Sequence, residues 1–285
     1  MSKISLKGYH YIGRKPAPEL HKQIKQIVTL LQDPTFVCGK KWGGELQDAL
    51  AKELNVKSGQ IRTIKSMMCQ LGVISESTLK SSKVVDCNNL LTDNGEAFMY
   101  ICQLEEEMEE LDINDPNRSK LAKDIHELCR WYYSGVVCDY YYPNGPRGEG
   151  GKLHLLRTIL KVLRKYKKLD YWEIYLVMTL ITTDDSEDQY ALLDQAITDK
   201  RSGKVVYKTP EDTPQEKKLA HTYLLAYLEL AGFIKITSDK VGKLTIVEGD
   251  GHEDIKEEVL SKEFLDKFYK NNAMTDGAMH WLWSF

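Results

Sequence analysis

The run LQDALAKELNVKSGQIRTIKSMMCQLGVI, residues 46–74, leaves this chain few ways to fold. Its apolar residues fall at helical spacing twice, first at Leu46, Ala49, Leu50 and Leu54, then at Ile61, Ile64, Met68 and Leu71. Only Asn55-Val56-Lys57 stand between the two sets. Apolar residues at such spacing form one stripe along a helix, and the stripe must be covered. A link this short holds two such helices at a steep angle. Leu20, Ile24, Ile27, Val28 and Leu31 mark a further helix ahead of them, over 18–32.

At about 100° per residue, the last of these helices turns Ile61, Ile64, Met68 and Leu71 inward. Gly59, Arg62, Thr63, Ser66 and Gln70 then face outward, flanked by Ser58, Gln60 and Lys65. Ser58 is the expected N-cap, and Gly59 leaves room for the close approach of another backbone or a phosphate. After Leu71-Gly72-Val73-Ile74 the sequence turns to short β-prone pieces as far as Leu91, around the basic tip Lys80-Ser81-Ser82-Lys83. In LTDNGEAF, residues 91–98, Thr92 is placed to cap a new helix.

Two helices, a reading helix, L-G-V-I, a hairpin and L-T-x-x-G follow one another in an order that resembles the winged-helix family of DNA-binding domains. The resemblance implies a helix in the major groove. Arg62 can then donate two parallel hydrogen bonds to guanine, Gln60 can pair with adenine, and Thr63, Lys65 and Ser66 complete the base-facing set. Ser58, Gly59, Lys40, Lys41, Lys80 and Lys83 are expected at phosphates, where contacts hold register rather than read sequence. The same packing also suits a small helical domain with a protein partner.

Charge sorts the chain into blocks that its net value of -3 hides. Residues 1–85 hold 14 Lys and Arg against 6 Asp and Glu, whereas 86–149 hold 5 against 14. Residues 150–168 carry 7 bases and no acid, 169–199 carry 8 acids and no base, 200–245 are net +4 and 246–285 net -5. A solvated helix face explains any one block. Three basic blocks between acidic ones lead to the expectation that they line one polyanion-binding surface while the acids face away.

Ahead of the first helix, KISLKGYHYIGRKPAP fits no helical period and reads as an extended arm. Arg14 is its candidate base reader, and Lys3, Lys7, His10 and Lys15 are its phosphate or groove contacts. Residues 99–131 read as a strongly acidic helix with EEEMEE at 105–110, a spacer held away from DNA. The following loop, SGVVCDYYYPNGPRGEGGK, lacks phosphate-loop spacing, and Leu153 stands where such a loop needs Ser or Thr.

A second head follows the same plan. LHLLRTILKVLRKYKK, residues 153–168, is a helix with Leu153, Leu156, Ile159, Leu160 and Leu163 inside and a basic face outside. Helices are expected over 170–181 and 186–200, with Asp184, Asp185, Glu187 and Asp188 as dipole-favoured caps rather than metal ligands. A long helix over 214–231 ends LELAGFIKI, an echo of CQLGVI, and FIKITSDKVGKLTIV is a β-hairpin with Lys240 and Lys243 at its tip. This second winged helix would place Lys217, Lys218 and His221 at bases. Gln215, Tyr207, Lys208, Thr209, Lys240 and Lys243 would lie along the backbone.

The expected fold is therefore mainly α with small β-hairpin wings: two winged-helix (helix-turn-helix) subdomains joined by a helical linker. Its parts are an arm over 1–17, a first subdomain over 18–98, a linker over 99–151 and a second subdomain with a helical tail over 152–285. Two unlike heads and an arm can read an asymmetric site as a monomer, whereas a regulator usually dimerises on a palindrome.

The arm GYHYIGRKPAP, the head ending SMMCQLGVI, the acidic spacer and LLRTILKVLRKYKKLDYWEIYLVMTL together resemble the DNA-recognition regions of type IIS restriction endonucleases. The likeness covers the whole chain. It implies sequence-specific binding of double-stranded DNA, with cleavage by a separate Mg2+-dependent nuclease domain of the PD-(D/E)xK type. Glu216-Lys217-Lys218 spells E-x-K but falls near a helix start, and Glu149-Gly150-Gly151-Lys152 is one residue too long. Residues 1–285 are thus expected to hold no catalytic centre and no cofactor, the nuclease lying outside them. A winged-helix transcription regulator is the alternative.

The amino terminus has no apolar run of signal-peptide type, and the longest apolar stretch, YLVMTLI at 175–181, is too short to span a bilayer. A cytoplasmic protein without a membrane contact is expected. Its six cysteines, none in a C-x-x-C pair, read as reduced and mostly buried thiols. His126, Cys129 and Cys138 lack a fourth ligand for zinc.

Overall fold

A computed structural model describes residues 14–75, 77–139, 153–207, 215–236 and 245–248, and the side chains of these except 138, 139, 215–222 and 245–248. The described chain is mainly helical and divides into two compact units, 16–136 and 137–248, the second also taking residues 14 and 15. Among the described residues no helix is long and apolar enough to cross a membrane.

The first unit contains α1 (Pro18–Gln32), α2 (Pro34–Val37), α3 (Gly44–Glu53), α4 (Ser58–Gln70), α5 (Asp93–Glu110) and most of α6 (Pro116–Asp139). The apolar stripes read from the sequence are largely the buried ones: Leu20, Ile24, Ile27, Val28 and Leu31 on α1, Leu46 and Leu50 on α3, and Ile61, Ile64, Met68 and Leu71 on or capping α4, while Ala49 and Leu54 are half-buried and Ala51 is buried in addition. Asn55 turns the chain between α3 and α4 with φ of 52°, a left-handed value that Asn tolerates better than most residues. The α3 and α4 helices then pack directly on each other.

The hairpin expected between Thr78 and Leu91 is not formed among the described residues. The stretch makes a single antiparallel bridge, Lys41 to Val84, supported by the Val85 N–H donating to the Lys40 carbonyl at 3.1 Å. Its polar side chains bond locally instead: the Ser75 hydroxyl lies 2.7 Å from that of Ser77 and 2.9 Å from that of Thr78, and Asp86 accepts from Asn88 and Asn89. Such bonds compete with a ladder. Among the described residues from Ser75 to Leu90 the buried anchors are Leu79, Val85 and Leu90, too sparse for a strand alternation.

Thr92 caps α5 as expected, its hydroxyl accepting from the Gly95 N–H at 3.0 Å. Gly95 fits because a Cβ there would meet the Val73 carbonyl oxygen at 2.2 Å. Residues 99–136, read above as part of a linker, lie inside this unit. His21 of α1 puts Nδ1 at 2.9 and 3.0 Å from the two carboxylate oxygens of Glu105 on α5, and Nε2 at 2.6 Å from the Tyr133 hydroxyl on α6. All three residues are buried. The acidic run also pairs Glu109 with Lys22 at 2.8 Å, and Glu106 with Lys25.

Five cysteines are described, all as free thiols: Cys102 and Cys129 are buried, Cys69 and Cys87 half-buried and Cys38 exposed. Burial, with the Glu105 charge nearby, pushes the Cys129 thiol up to about 12. It stays a neutral, inert core group.

The second unit runs α7 (Leu155–Tyr166), β1 (Lys168–Asp170), α8 (Tyr171–Leu180), α9 (Glu187–Arg201), α10 (Gln215–Leu230), β2 (Ile234–Ile236) and β3 (Thr245–Glu248). β2 and β3 pair antiparallel where the hairpin was expected, with Lys235 opposite Val247. The sequence pattern did not reveal β1. Lys167 ends α7 at φ 60°, and Lys168, Leu169 and Asp170 then pair with Val247, Ile246 and Thr245, giving a sheet of order β1-β3-β2.

The α8 helix is buried nearly all round, Glu173 included. Asp170 and Glu173 form a capping box at its start. Arg201 from the end of α9 grips the Glu173 carboxylate with two N–H groups, at 2.9 and 3.0 Å, and Lys200 adds a contact at 3.2 Å and another to Asp170. The α9 cap is Ser186, with Glu187 and Asp188 in the first turn. Asp184 belongs to the other end of the pair: it accepts from the His154 N–H at 2.8 Å and lies 2.6 Å from His154 Nδ1, just ahead of α7.

Burial alone would raise the Glu173 carboxyl. The Arg201 guanidinium, the Asp170 N–H and the Lys200 charge outweigh it and hold the group below its ordinary 4.5. A carboxyl so lowered stabilises the fold above that value and ceases to do so as pH falls through the lowered one. Glu173→Gln should therefore cost about 2–3 kcal/mol at neutral pH, the partial exposure of Arg201 keeping it below the usual range for a buried pair. Chemical denaturation at several pH values should show the variant losing less stability than the wild type on acidification below 4.5.

Candidate nucleic-acid interface

The outward face of α4 is the one the helical projection gave. Gly59, Gln60, Arg62 and Ser66 are exposed, and Ser58, Thr63, Lys65 and Gln70 half-buried, while Ile61, Ile64, Met67 and Met68 are buried. Three details differ. Lys57, not Ser58, is the N-cap, and no side chain caps the helix. The Ser58 hydroxyl instead donates to Asp48, tying the start of α4 to α3. Thr63 donates to the Gly59 carbonyl at 3.3 Å, so its hydroxyl is left to accept.

Lys80 and Lys83 are both exposed on a tight turn, where the Lys83 N–H donates to the Lys80 carbonyl at 3.1 Å. The Lys41–Val84 bridge brings exposed Lys41 beside that turn. Asp86 closes the same segment; bonds from the Asn89 side chain and then the Asn88 N–H hold its carboxyl below the usual range. Lys40 is drawn elsewhere, reaching the Phe36 carbonyl at 3.5 Å and Glu45 at 3.8 Å. It is a weaker candidate than Lys41 for that reason.

Exposed Lys57 belongs with this set although the candidate residues omitted it. Its place in the three-residue link, beside the start of α4, was the signal. Among the described residues Lys41, Lys57, Arg62, Lys65, Lys80 and Lys83 make no ion pair.

Several described bases of the later blocks meet acids or rings within their own unit, so acidic and basic blocks do not simply face apart there as expected. Lys165 of α7 pairs with Asp194 of α9, Lys161 sits 4.3 Å from the centre of the Tyr190 ring, and Lys200 and Arg201 hold Glu173. Lys204 pairs with Asp199 at 3.2 Å. The reason is electrostatic: acids and bases on neighbouring helices of one unit lie within a few ångströms, where their attraction is largest.

Of the candidates in the second unit's own elements, Tyr207 alone has a described side chain. Tyr207 is buried at 9% exposure, and burial raises its phenol, so it is not available as a backbone contact. Gln215, Lys217, Lys218 and His221 lie on α10, with side chains outside the described set. Lys208, Thr209, Lys240 and Lys243 fall outside the described residues, as do Lys3, Lys7 and His10 of the arm. Of the arm's end, Lys15 is exposed, and the Arg14 carbonyl accepts from the buried Tyr227 hydroxyl of α10 at 3.0 Å. Arg14 thereby joins the second unit.

Among the described residues no three His, Cys, Asp or Glu side chains gather as a metal ion needs. Compared with known proteins, the chain matches no family model, no curated protein and no solved structure.

Gly59 has no counterpart reason inside the fold. A Cβ there meets nothing within 4 Å, and its φ is not in the left-handed region. Gly59→Ala should raise stability by about 0.5 kcal/mol, read as a higher melting temperature. A lower one would show an internal role for the glycine.

Proposed function

We propose that this chain binds double-stranded DNA sequence-specifically, as a recognition region of the type IIS restriction endonuclease kind. It reads a short asymmetric site as a monomer through the major groove, and cleavage resides outside residues 1–285. The observation that carries the reading is the contrast in ion pairing. Lys41, Lys57, Arg62, Lys80 and Lys83, on and beside α4, are exposed and make no ion pair among the described residues, whereas Lys22 and Lys25 of α1, Lys161 and Lys165 of α7 and Lys200 and Arg201 of α9 are answered by carboxylates or a ring. A phosphate backbone is the polyanion that an exposed, unpaired set of this kind attracts.

The element order supports winged helices as the scaffold. In the second unit a helix, a strand, further helices and a hairpin follow one another, and the early strand joins the hairpin's far edge. In the first unit the Lys41–Val84 bridge occupies the equivalent place, between the segment before α3 and the segment after α4. On this reading Arg62, Gln60, Thr63, Lys65 and Ser66 face bases, and Lys41, Lys57, Lys80 and Lys83 face phosphates. Gly59 lets the DNA backbone approach the start of α4.

Selection from a pool of random duplexes should enrich one asymmetric sequence. Arg62→Ala should then lose about 1–3 kcal/mol of discrimination at one base position, while Lys83→Ala should weaken all sequences alike. Equal weakening of cognate and random duplexes by Arg62→Ala would remove Arg62 as a base reader. Failure to enrich any sequence would remove the reading as a whole.

A further inference from the structure

The chain leaving α4 presents three backbone carbonyls in succession, and each is taken by a donor from a later helix or its cap. The Tyr132 hydroxyl on α6 donates to the Leu71 carbonyl at 2.6 Å. The Thr92 hydroxyl donates to the Gly72 carbonyl, and the Thr92 N–H to that of Val73 at 3.1 Å. Leu71 is the C-cap of α4, where carbonyls lack partners within the helix, and at 2% exposure it has little access to water. Thr92 is already fixed by capping α5. Tyr132 comes from 61 residues away, with its ring packed against Phe98 and Tyr133.

Apolar contacts through Ile61, Ile64, Met67 and Met68 hold α4 to the core, but they are non-directional and tolerate small rotations and slides. Hydrogen bonds at the helix ends are directional. Ser58 to Asp48 fixes the first turn, at an exposed site, and Tyr132 to Leu71 fixes the last, in a dry one. Burial, with the Cys102 thiol nearby, raises the Tyr132 phenol, so it remains a donor at any working pH. A face that reads base edges needs its groups held within about 0.5 Å of their place.

Resting on the DNA-binding function proposed above, we infer that Tyr132 is a positioning residue for α4. Its hydroxyl sets the rotation and register of the base-reading face, and so the sequence discrimination of the protein, without touching DNA.

Tyr132→Phe keeps the ring and removes only the hydroxyl. Tyr133→Phe removes the same group one residue on, from His21 instead of from α4, and is the comparison for a purely structural loss. The probes are a duplex carrying the sequence enriched from the random pool and a random-sequence duplex of equal length. Tyr132→Phe should lower the ratio of the two affinities about 5- to 10-fold, with the random-duplex affinity unchanged, whereas Tyr133→Phe should lower the melting temperature and leave the ratio. Amide exchange over 66–74 should quicken in Tyr132→Phe while that of α3 stays as in the wild type. An unchanged ratio, or equal falls in both variants, would overturn the positioning role. If the wild type itself prefers no sequence, the DNA reading fails separately, and unchanged exchange over 66–74 would then overturn the hold of Tyr132 on α4.

Discussion

A carboxylate removed from water needs its charge answered within a few ångströms. Among the described residues three acids are buried, Glu105, Glu173 and Asp199, at 8%, 3% and 5% exposure. Glu105 takes His21, Glu173 takes Arg201 and Lys200, and Asp199 takes Gln195 and Lys204. Asp199 finds its partners within five residues, but those of Glu105 and Glu173 come from other helices, so these two acids help determine how helices meet. They also determine which bases are left over. The exposed cations around α4 are a residue of that sorting, and their availability to phosphate follows from it.

The acidic run at 105–110 illustrates the point. Read as sequence, EEEMEE suggests a strut held clear of a polyanion. In the fold one of its glutamates is buried against His21 and two more hold Lys22 and Lys25 on α1. The run thereby pairs the lysines of α1, whereas Arg62 and Lys65 of α4 make no ion pair among the described residues. Exposed pairs of this kind contribute only about 0–1 kcal/mol each; their larger effect is to decide where on the surface positive charge remains.

Much of α1, α3 and α4 was legible in the sequence, because each has one apolar stripe at helical spacing and a clear break at Asn55-Val56-Lys57. The outward face of α4 was legible for the same reason. The β1 strand was not: Lys168-Leu169-Asp170 is three residues long and sits between two helical runs, and only pairing with β3 makes it a strand. The first wing failed as a hairpin because Ser75, Ser77, Thr78 and Asp86 find partners nearby. Ser58 resembled a cap, but Asp48 on the preceding helix took its hydroxyl. Which base meets which acid cannot be read from charge blocks, since most pairs join helices far apart in sequence, as Arg201 with Glu173 and His21 with Glu105 do.

The exposed cations around α4 are proposed to serve a phosphate backbone. The most direct test of this is the salt dependence of binding to duplex DNA. The logarithm of the association constant should fall linearly with the logarithm of salt concentration, with a slope of about -0.9 for each phosphate neutralised. Neutralising Lys80 and Lys83 should make that slope shallower. Binding that ignores salt, or no affinity for duplex DNA at low salt, would contradict the account.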